Sequence, residues 1–589
     1  MLGNIIAIEE NIVLVNLNVD LNKIPNLINL MVIMESENKQ IIGEIINIKN
    51  NTAYINLLGE LRGKDFIYGV INKPSFSSTV KLISKEKIPM IISTEEFIEN
   101  KHLYIGTSPI YEGVKINVEI NDFFSNHFAI FGSTGSGKSC SVARLFQNLF
   151  TKPNKIPYRS SIFIFDAYGE YHTAFEKLGE VVPEINFKYY TTNTEEKNKV
   201  LKIPVWLLDT DDIALLLECE KPSQLPIIEK ALKLVTVFAR EEKDVIKHKN
   251  DIIARALLDI FTSGKNPAQI RDQIFSVLSY YNTSELNLET PIYQPGYTRP
   301  LKQCLLIDGT GKIRDMELLM TFMQKFLDDT LVLNLPDGTF KYTLEDLRDA
   351  LDFALISEGI LKSEKIFDEY NVLKVRLHSL VSGDYKEYFE YENFVSKDQY
   401  IKDLLSAPHD RKAQIINFNI NYVDDRFAKT ITKIYSKMLF NYSKELKVRA
   451  SIPFHIVLEE AHRYVQNDND VNLLGYNIFD RITKEGRKYG VLLGLISQRP
   501  SELSDTSISQ CSNFLIFNIL HPADLNYIKS MVPNVSEEII KKLKTLQSGN
   551  CIAFGNAFKV PVFIKFDMPN PAPSSSSCDI EKVWFIEKR

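Results

Sequence analysis

Eight consecutive residues, Gly132-Ser133-Thr134-Gly135-Ser136-Gly137-Lys138-Ser139, limit what this chain can fold into more than any other stretch. They fit the pattern G-x-x-x-x-G-K-[ST] at every position. An apolar run at 128–131 precedes them, and an amphipathic stretch follows to about residue 150, so strand, loop and helix are expected in that order. Glycines let the backbone curl until several N–H groups face one point. The helix adds its positive N-terminal end to the same point. Such a loop cradles the phosphates of a nucleotide: Lys138 reaches the β- and γ-phosphates, and the Ser139 hydroxyl binds Mg²⁺. All eight residues, with Cys140 next to them, are the expected nucleotide contacts, and ATP and Mg²⁺ the expected cofactors. The bland alternative is a flexible Gly/Ser turn before a helix, and the apolar strand in front of the loop argues against it.

The rest of the chain falls into segments around this loop. In the first ~90 residues, runs at 12–17, 41–48 and 52–58 are rich in Ile, Val and Asn and are punctuated by Lys49-Asn50-Asn51, Gly59 and Gly63. Short β-rich runs with close turns predict a small barrel or sandwich. A β-meander packed on the next domain is the alternative. From about Gly113 strand-then-helix units begin, with strands at 114–120, 128–131 and 161–165. These predict an α/β domain on a mainly parallel sheet. Between 211 and 405 the patterning is helical, as at 226–240, 251–261 and 372–381. Thr343-Leu344-Glu345-Asp346 resembles a capping-box start, and 282–302 reads as a long loop. Strand patterning resumes at 413–418, 454–458, 491–497 and 514–518, then as a closing hairpin at 552–554 and 560–566. The expected organisation is a β-barrel at 1–100, an α/β core in two parts at 113–210 and 406–568, a helical insertion at 211–405, and a C-terminal extension at 569–589. That extension opens with Pro569-Asn570-Pro571-Ala572-Pro573 and four serines, a linker composition, and carries the apolar patch Val583-Trp584-Phe585-Ile586 near its end.

Composition narrows the setting. The six cysteines are scattered, with no pair at metal-ligand spacing, which reads as free thiols in a reducing compartment. No window offers the ~18 uncharged apolar residues of a membrane span, and no basic-then-apolar leader opens the sequence. A cytoplasmic protein without a membrane partner is expected. A net charge of -6 leaves nucleic-acid binding open, because a polyanion needs only a local positive surface.

Hydrolysis needs more than a phosphate loop. In Phe454-His455-Ile456-Val457-Leu458-Glu459-Glu460 an apolar strand ends in two carboxylates. Glu459 is placed to hold the ion, largely through water, and Glu460 to orient and deprotonate the attacking water. The alternative is a pair of surface glutamates opening a helix. The strand 491–497 ends at Gln498, where a polar amide can sense the γ-phosphate. Arg481, Lys484, Arg487 and Lys488 lie on or just after a helix between these strands. Arg487 is the preferred candidate for an arginine finger reaching a neighbouring subunit's nucleotide. A solvated basic helix face fits that run equally well.

These motifs match a family. GSTGSGKS at 132–139, FDAYGEY at 165–171, EEAH at 459–462, EGRKYG at 485–490 and SQRP at 497–500 occur in the order found in the HerA-type DNA translocases, hexameric relatives of FtsK among the RecA-like ATPases. The chain resembles that family over roughly 113–570. The resemblance implies a RecA-like P-loop ATPase core with a helical insertion, and an N-terminal HAS-like barrel. It further implies a homohexameric ring with double-stranded DNA in its channel and ATP between subunits, Glu170 near the nucleotide, Arg487 acting across the interface, and a C-terminal segment that reaches a neighbour. The expected function is an ATP-driven double-stranded DNA translocase or helicase working with a separate effector, a NurA-like nuclease or a sirtuin-like protein. The high Asn, Ile and Lys content suits an AT-rich genome and leans the expectation toward anti-phage defence. An ATPase scaffold that organises and licenses an effector without processive movement is the alternative, since it needs the same nucleotide site.

Overall fold

The computed structural model describes residues 1–589 except 22–25, 37–38, 64, 95, 153, 241, 332–339, 358–363, 410, 533–534, 575–579 and 585–589. Two compact units emerge. The first takes in Met1–Asn193, Leu404–Asp468 and Ile478–Arg589, and the second takes in Thr194–Asp403 and Asn469–Asn477. The helical unit therefore starts before residue 211 and recruits 469–477, which the sequence pattern assigned to the core.

In the first unit, seven short antiparallel strands open the chain. Six of them close on themselves, because Ile12–Leu17 pairs both with Gly3–Glu9 and with Thr52–Arg62. That second pairing makes a barrel and removes the sandwich and meander alternatives. Alternation drives the closure: Val13, Val15 and Leu17 point inward with Ile45, Ala53, Ile55 and Val80, while their neighbours face out.

An eleven-stranded sheet follows. Its order is Phe187–Thr191, Ile415–Asn419, Ile162–Asp166, Phe454–Leu458, Val491–Ser497, Phe128–Phe131, Asn513–Ile516, Asn550–Gly555, Val562–Lys565, His102–Thr107 and Lys115–Glu119. The first seven run parallel, and the last four are antiparallel. Phe128–Phe131, Ile162–Asp166 and Val491–Ser497 are buried at every residue, as strands covered on both faces must be. Strands expected at 128–131, 454–458 and 491–497 fall on these bounds, and the expected closing hairpin is the antiparallel pair Asn550–Gly555 and Val562–Lys565.

The second unit is mostly helical, with Leu225–Phe238, Lys243–Phe261, Pro267–Tyr280, Leu344–Ser357 and Glu364–Ser382 as its longest helices. Thr343 caps its helix as the sequence suggested. The Asp346 backbone N–H donates to Thr343 Oγ1 (3.2 Å), and the Thr343 N–H donates to the Asp346 carboxylate (2.8 Å). The segment 282–302 differs from its reading as a loop: Pro291–Gln294 and Tyr297–Pro300 pair as a hairpin around Pro295-Gly296. Proline fixes the first turn position and Gly296, at φ +92°, supplies the left-handed second one.

Candidate functional site: a phosphate loop facing a carboxylate cluster

The phosphate loop leaves the Phe128–Phe131 strand and enters the helix Lys138–Phe150, as expected. It is pinned at both ends of its curl. The Gly132 N–H donates to Ser497 O (3.3 Å), the Ser133 N–H to Asn518 O (2.8 Å), and the Gly549 N–H to Ser136 O (2.9 Å). Gly137, at φ +96°, is irreplaceable for two reasons. Its conformation is left-handed, and a Cβ there would lie 2.8 Å from the Gly549 nitrogen. Lys138 folds back, donating to Gly132 O (2.6 Å) and Ser133 O (3.2 Å), so its ammonium sits at the mouth of the curl. Burial pushes the Lys138 pKa down while Glu460, Glu459 and Glu170 hold it up. Thr134 and Gly135 are exposed at the tip, and Thr134 Oγ1 donates to Gln498 Oε1 (2.6 Å). Ser139 and Cys140 are half-buried in the first helical turn, and burial with Glu170 nearby raises the Cys140 thiol.

Because the central strands run parallel, their C-terminal ends share one edge of the sheet. There the loop, Asp166, Glu459 and Gln498 converge, in the crevice where open α/β sheets bind ligands. Glu459 is buried, and its Oε2 accepts from the Ala167 N–H (3.1 Å). Burial raises its pKa well above the ordinary carboxylate range, and Asp166, Glu170 and Glu460 add to the effect. Glu460 does not open an α-helix: at φ +48° it turns the chain into the short 3₁₀ segment Ala461–Arg463. Such a conformation costs roughly 1–3 kcal/mol in a non-glycine residue and collects at functional sites. Burial raises the Glu460 carboxyl too, against the lowering pull of Lys138, the Gln498 N–H and Arg463. Its Oε2 is buried and accepts no hydrogen bond among the described residues, and the buried Ser136 Oγ is likewise unpartnered.

Four further residues, three at this edge and one on the loop's helix, carried no role in the sequence reading. Asp166, fully buried, accepts from the Glu170 N–H (3.0 Å), the Tyr171 N–H (2.9 Å) and Asn417 Nδ2 (3.1 Å), so it folds the loop that brings Glu170 in. Gly169 completes that loop at φ +71°, where a Cβ would meet the Asn419 amide at 2.8 Å. His462 places Nδ1 3.1 Å from Ser497 Oγ and 3.3 Å from Glu460 Oε2. Gln147, on the loop's helix, is also fully buried. A buried polar residue one strand end or three helical turns from a phosphate loop is the signal that marks them.

The donor set suits a magnesium nucleotide. One buried ammonium faces a buried carboxylate cluster, and the Ser136 Oγ and Glu460 Oε2 atoms make no hydrogen bond among the described residues. Among the described residues no three His, Cys, Asp or Glu side chains form a metal cage. Ser139 and Glu459 are the residues that would hold a Mg²⁺ arriving with the phosphates.

Arg487 lies elsewhere. Its helix, Ile478–Tyr489, feeds into the N-terminal end of Val491–Ser497, and Gly490 O accepts from the Phe454 N–H at the start of the neighbouring strand. It also acts on His127, just ahead of the Phe128–Phe131 strand, whose pKa is pushed down to about 4 chiefly by burial. Arg487 is exposed and has no ion-pair partner among the described residues. A seven-residue strand, about 23 Å long, therefore separates it from its own phosphate loop. Lys138, Glu459, Glu460, Gln498 and Glu170 gather at one edge of the sheet, and Arg487 stands at the other.

The sequence model described as Helicase HerA, central domain, matches residues 103–292. Proteins named DNA double-strand break repair helicase HerA are similar along most of the chain. That of Pyrococcus furiosus is 21% identical over 87% of this chain and 77% of its own length, and that of Sulfolobus acidocaldarius is 24% identical over 90% and 81%. Among solved structures, VirB4 of Thermoanaerobacter pseudethanolicus aligns with 79% of this chain and 96% of its own at 14% identity and a TM-score of 0.41. The bacterial conjugative coupling protein TrwB, in complex with sulphate, aligns with 81% and 96% at 11% identity and a TM-score of 0.41. No helix of the described residues is long and apolar enough to cross a membrane. With its phosphate loop and paired strand-end glutamates the chain is an ATP hydrolase, and it is similar to the HerA helicases along most of its length.

Proposed function

We propose that this chain is an ATP-driven motor that moves along double-stranded DNA as a homohexameric ring and works with a separate effector protein. The observation that carries the ring is the position of Arg487, about a strand's length from its own phosphate loop on an exposed helix end. A finger so placed has work only at a neighbour's nucleotide. DNA as the track is supported by the relatives, which are named as double-strand break repair helicases. A NurA-like nuclease or a sirtuin-like effector supplies the second activity, in break repair or, as the composition leans, in anti-phage defence.

The residues divide the work. Backbone N–H groups of 132–139 and the Lys138 ammonium hold the phosphates. Ser139 and Glu459 would hold a Mg²⁺, which when bound would neutralise charge on the β- and γ-phosphates. Glu460 orients the attacking water and takes its proton, since a carboxylate kept above its usual pKa is a stronger base. Gln498, tied to Thr134, reads the γ-phosphate position at the end of its strand. Arg487 from the adjoining subunit stabilises the charge that develops during transfer to water. The test is DNA-stimulated ATP turnover together with ATP-dependent displacement of a protein roadblock from duplex DNA. Turnover that ignores DNA, with the roadblock left in place, overturns the motor.

A further inference from the structure

The alternating prolines at 569–573 do not act as a loose linker. The strand Val562–Lys565 ends at a fixed point, where Tyr104 Oη donates to Asp567 Oδ2 (2.9 Å) and Arg144 lies 3.7 Å from the same oxygen. The chain then turns along the phosphate-loop helix. Gln147 clamps its backbone with both ends of one amide: Asn570 N–H donates to Gln147 Oε1 (3.0 Å), and Gln147 Nε2 donates to Pro571 O (2.7 Å). The same Nε2 also donates to Ala174 O (3.2 Å), which ties the clamp to the segment following Glu170. Thr173 Oγ1 donates to Ala572 O (3.2 Å), and Pro573 is buried. Last, the Ser574 N–H donates to Glu170 O at 2.9 Å, with the Ser574 hydroxyl 3.3 Å from the same oxygen. Prolines at 569, 571 and 573 remove N–H groups and fix φ, so few donors are left to satisfy and less freedom is lost on docking.

We propose that residues 570–574 are a strap that holds Glu170 in the nucleotide site, with Ser574 as the positioning residue and Gln147 as its anchor. Glu170 is held from both sides. Its N–H donates to Asp166 Oδ1 inside the sheet, and its carbonyl accepts from Ser574 outside it. Two opposed bonds, one on each peptide unit flanking the Glu170 Cα, fix where the side chain starts. That side chain acts electrostatically on Lys138, Cys140, Glu459 and Glu460, so its placement reaches the loop lysine and both strand-end glutamates. The inference rests on the reading that Glu170 serves the ATP site. It adds that the chain beyond the last strand completes that site from its own subunit.

The experiment compares full-length Ser574→Pro, Ser574→Ala, Glu170→Gln and the Glu170→Gln/Ser574→Pro double variant. The readouts are kcat and KM for ATP, and amide hydrogen exchange of residues 167–173. Proline removes the donor to Glu170 O, whereas alanine removes only the hydroxyl and keeps the N–H. Ser574→Pro should lower kcat about two- to tenfold, the range of one net hydrogen bond, with KM little changed and faster exchange in 167–173. Ser574→Ala should match the unchanged protein in both readouts. The double variant should turn over no more slowly than Glu170→Gln alone, because the strap acts through that residue. Unchanged kcat and exchange in Ser574→Pro, with Glu170→Gln impaired, overturn the strap alone. So does a double variant whose losses multiply. Normal turnover in Glu170→Gln removes the reading of Glu170 beneath it.

Discussion

Arg487→Ala separates a ring ATPase from a self-contained one, and the geometry sets the size of the effect for each. Within one subunit the guanidinium is about 20 Å or more from the phosphate loop, because the whole of Val491–Ser497 lies between them. Two unit charges about 20 Å apart in water interact by about 0.2 kcal/mol before screening. Screening removes most of that, since the distance exceeds two Debye lengths of about 8 Å. Acting within its own subunit, Arg487 would change turnover by less than about 1.5-fold. Acting on a neighbour's γ-phosphate, it would change turnover by about 10³-fold, the lower end for arginine fingers. Steady-state hydrolysis of saturating ATP, with nucleotide affinity and thermal stability measured alongside, resolves such a gap easily. Turnover should collapse while ATP affinity and folding hold. Rings mixed from Arg487→Ala and Lys138→Ala subunits should then recover activity, because an interface with Lys138 on one side and Arg487 on the other is complete. Near-normal turnover in Arg487→Ala would refute the argument and return the basic run to a solvated helix face. A collapse with no recovery in rings shown to be mixed would refute independent action across interfaces.

Lys138→Ala should abolish hydrolysis, read as phosphate release, because the phosphates lose the one buried ammonium at the loop mouth. Glu460→Gln should retain bound ATP in an equilibrium binding assay yet stall the chemistry, since an amide cannot accept the water's proton. The acid limb of the pH–kcat profile should lie above the ordinary carboxylate range, because burial raises Glu460, and turnover should fall as pH drops through that raised value. Glu459→Gln should raise the nucleotide-free melting temperature at pH 7. A carboxyl whose folded pKa is raised binds its proton more tightly in the native state, so it costs stability increasingly as pH climbs above the unfolded value, and the gain should vanish near pH 4.

What the sequence made legible, and what it hid, divides along the range of the interactions. The phosphate loop and the strands at 128–131, 454–458 and 491–497 were readable because local pattern decides them: glycine spacing, a helix start, and runs apolar at every position. The barrel was ambiguous because closure depends on one pairing, Ile12–Leu17 with Thr52–Arg62, across about 40 residues of chain, and no local signal reports it. The hairpin at 291–300 was missed although Pro295-Gly296 announces a turn, since its four-residue strands are too short to show alternation. In the site, Glu459 and Glu460 were legible as strand-end carboxylates. The left-handed twist at Glu460 that aims its side chain was not. Gln147 was passed over because its role comes from backbone groups brought to it by tertiary structure, and Asp166 because the loop it ties down, 167–171, has no helix or strand pattern of its own. The proline segment misled for the opposite reason: linkers and docked extended segments share a composition, and only the acceptors on Gln147 and Glu170 tell them apart. The apolar residues Phe585 and Ile586 of the C-terminal patch lie outside the described residues, and Trp584 before them is exposed.

The charge balance at the sheet edge explains why this arrangement waits for its substrate. Glu459, Glu460 and Glu170 surround Lys138, and Asp166 adds a fourth carboxylate behind Glu459. Burial and mutual repulsion raise Glu459 and Glu460, so without a cation the cluster is held at a free-energy cost. That cost is tolerated because the surrounding sheet leaves the groups no way to move apart: Glu459 is bonded through its own N–H to Phe165 O and through Oε2 to the Ala167 N–H. A bound divalent cation would relieve that repulsion, and phosphates beside it would give Lys138 partners stronger than two peptide carbonyls. On the proposed reading metal and nucleotide would favour each other's binding through the same carboxylates, and either alone would leave part of the cluster uncompensated. The device works only while the carboxylates stay buried and close.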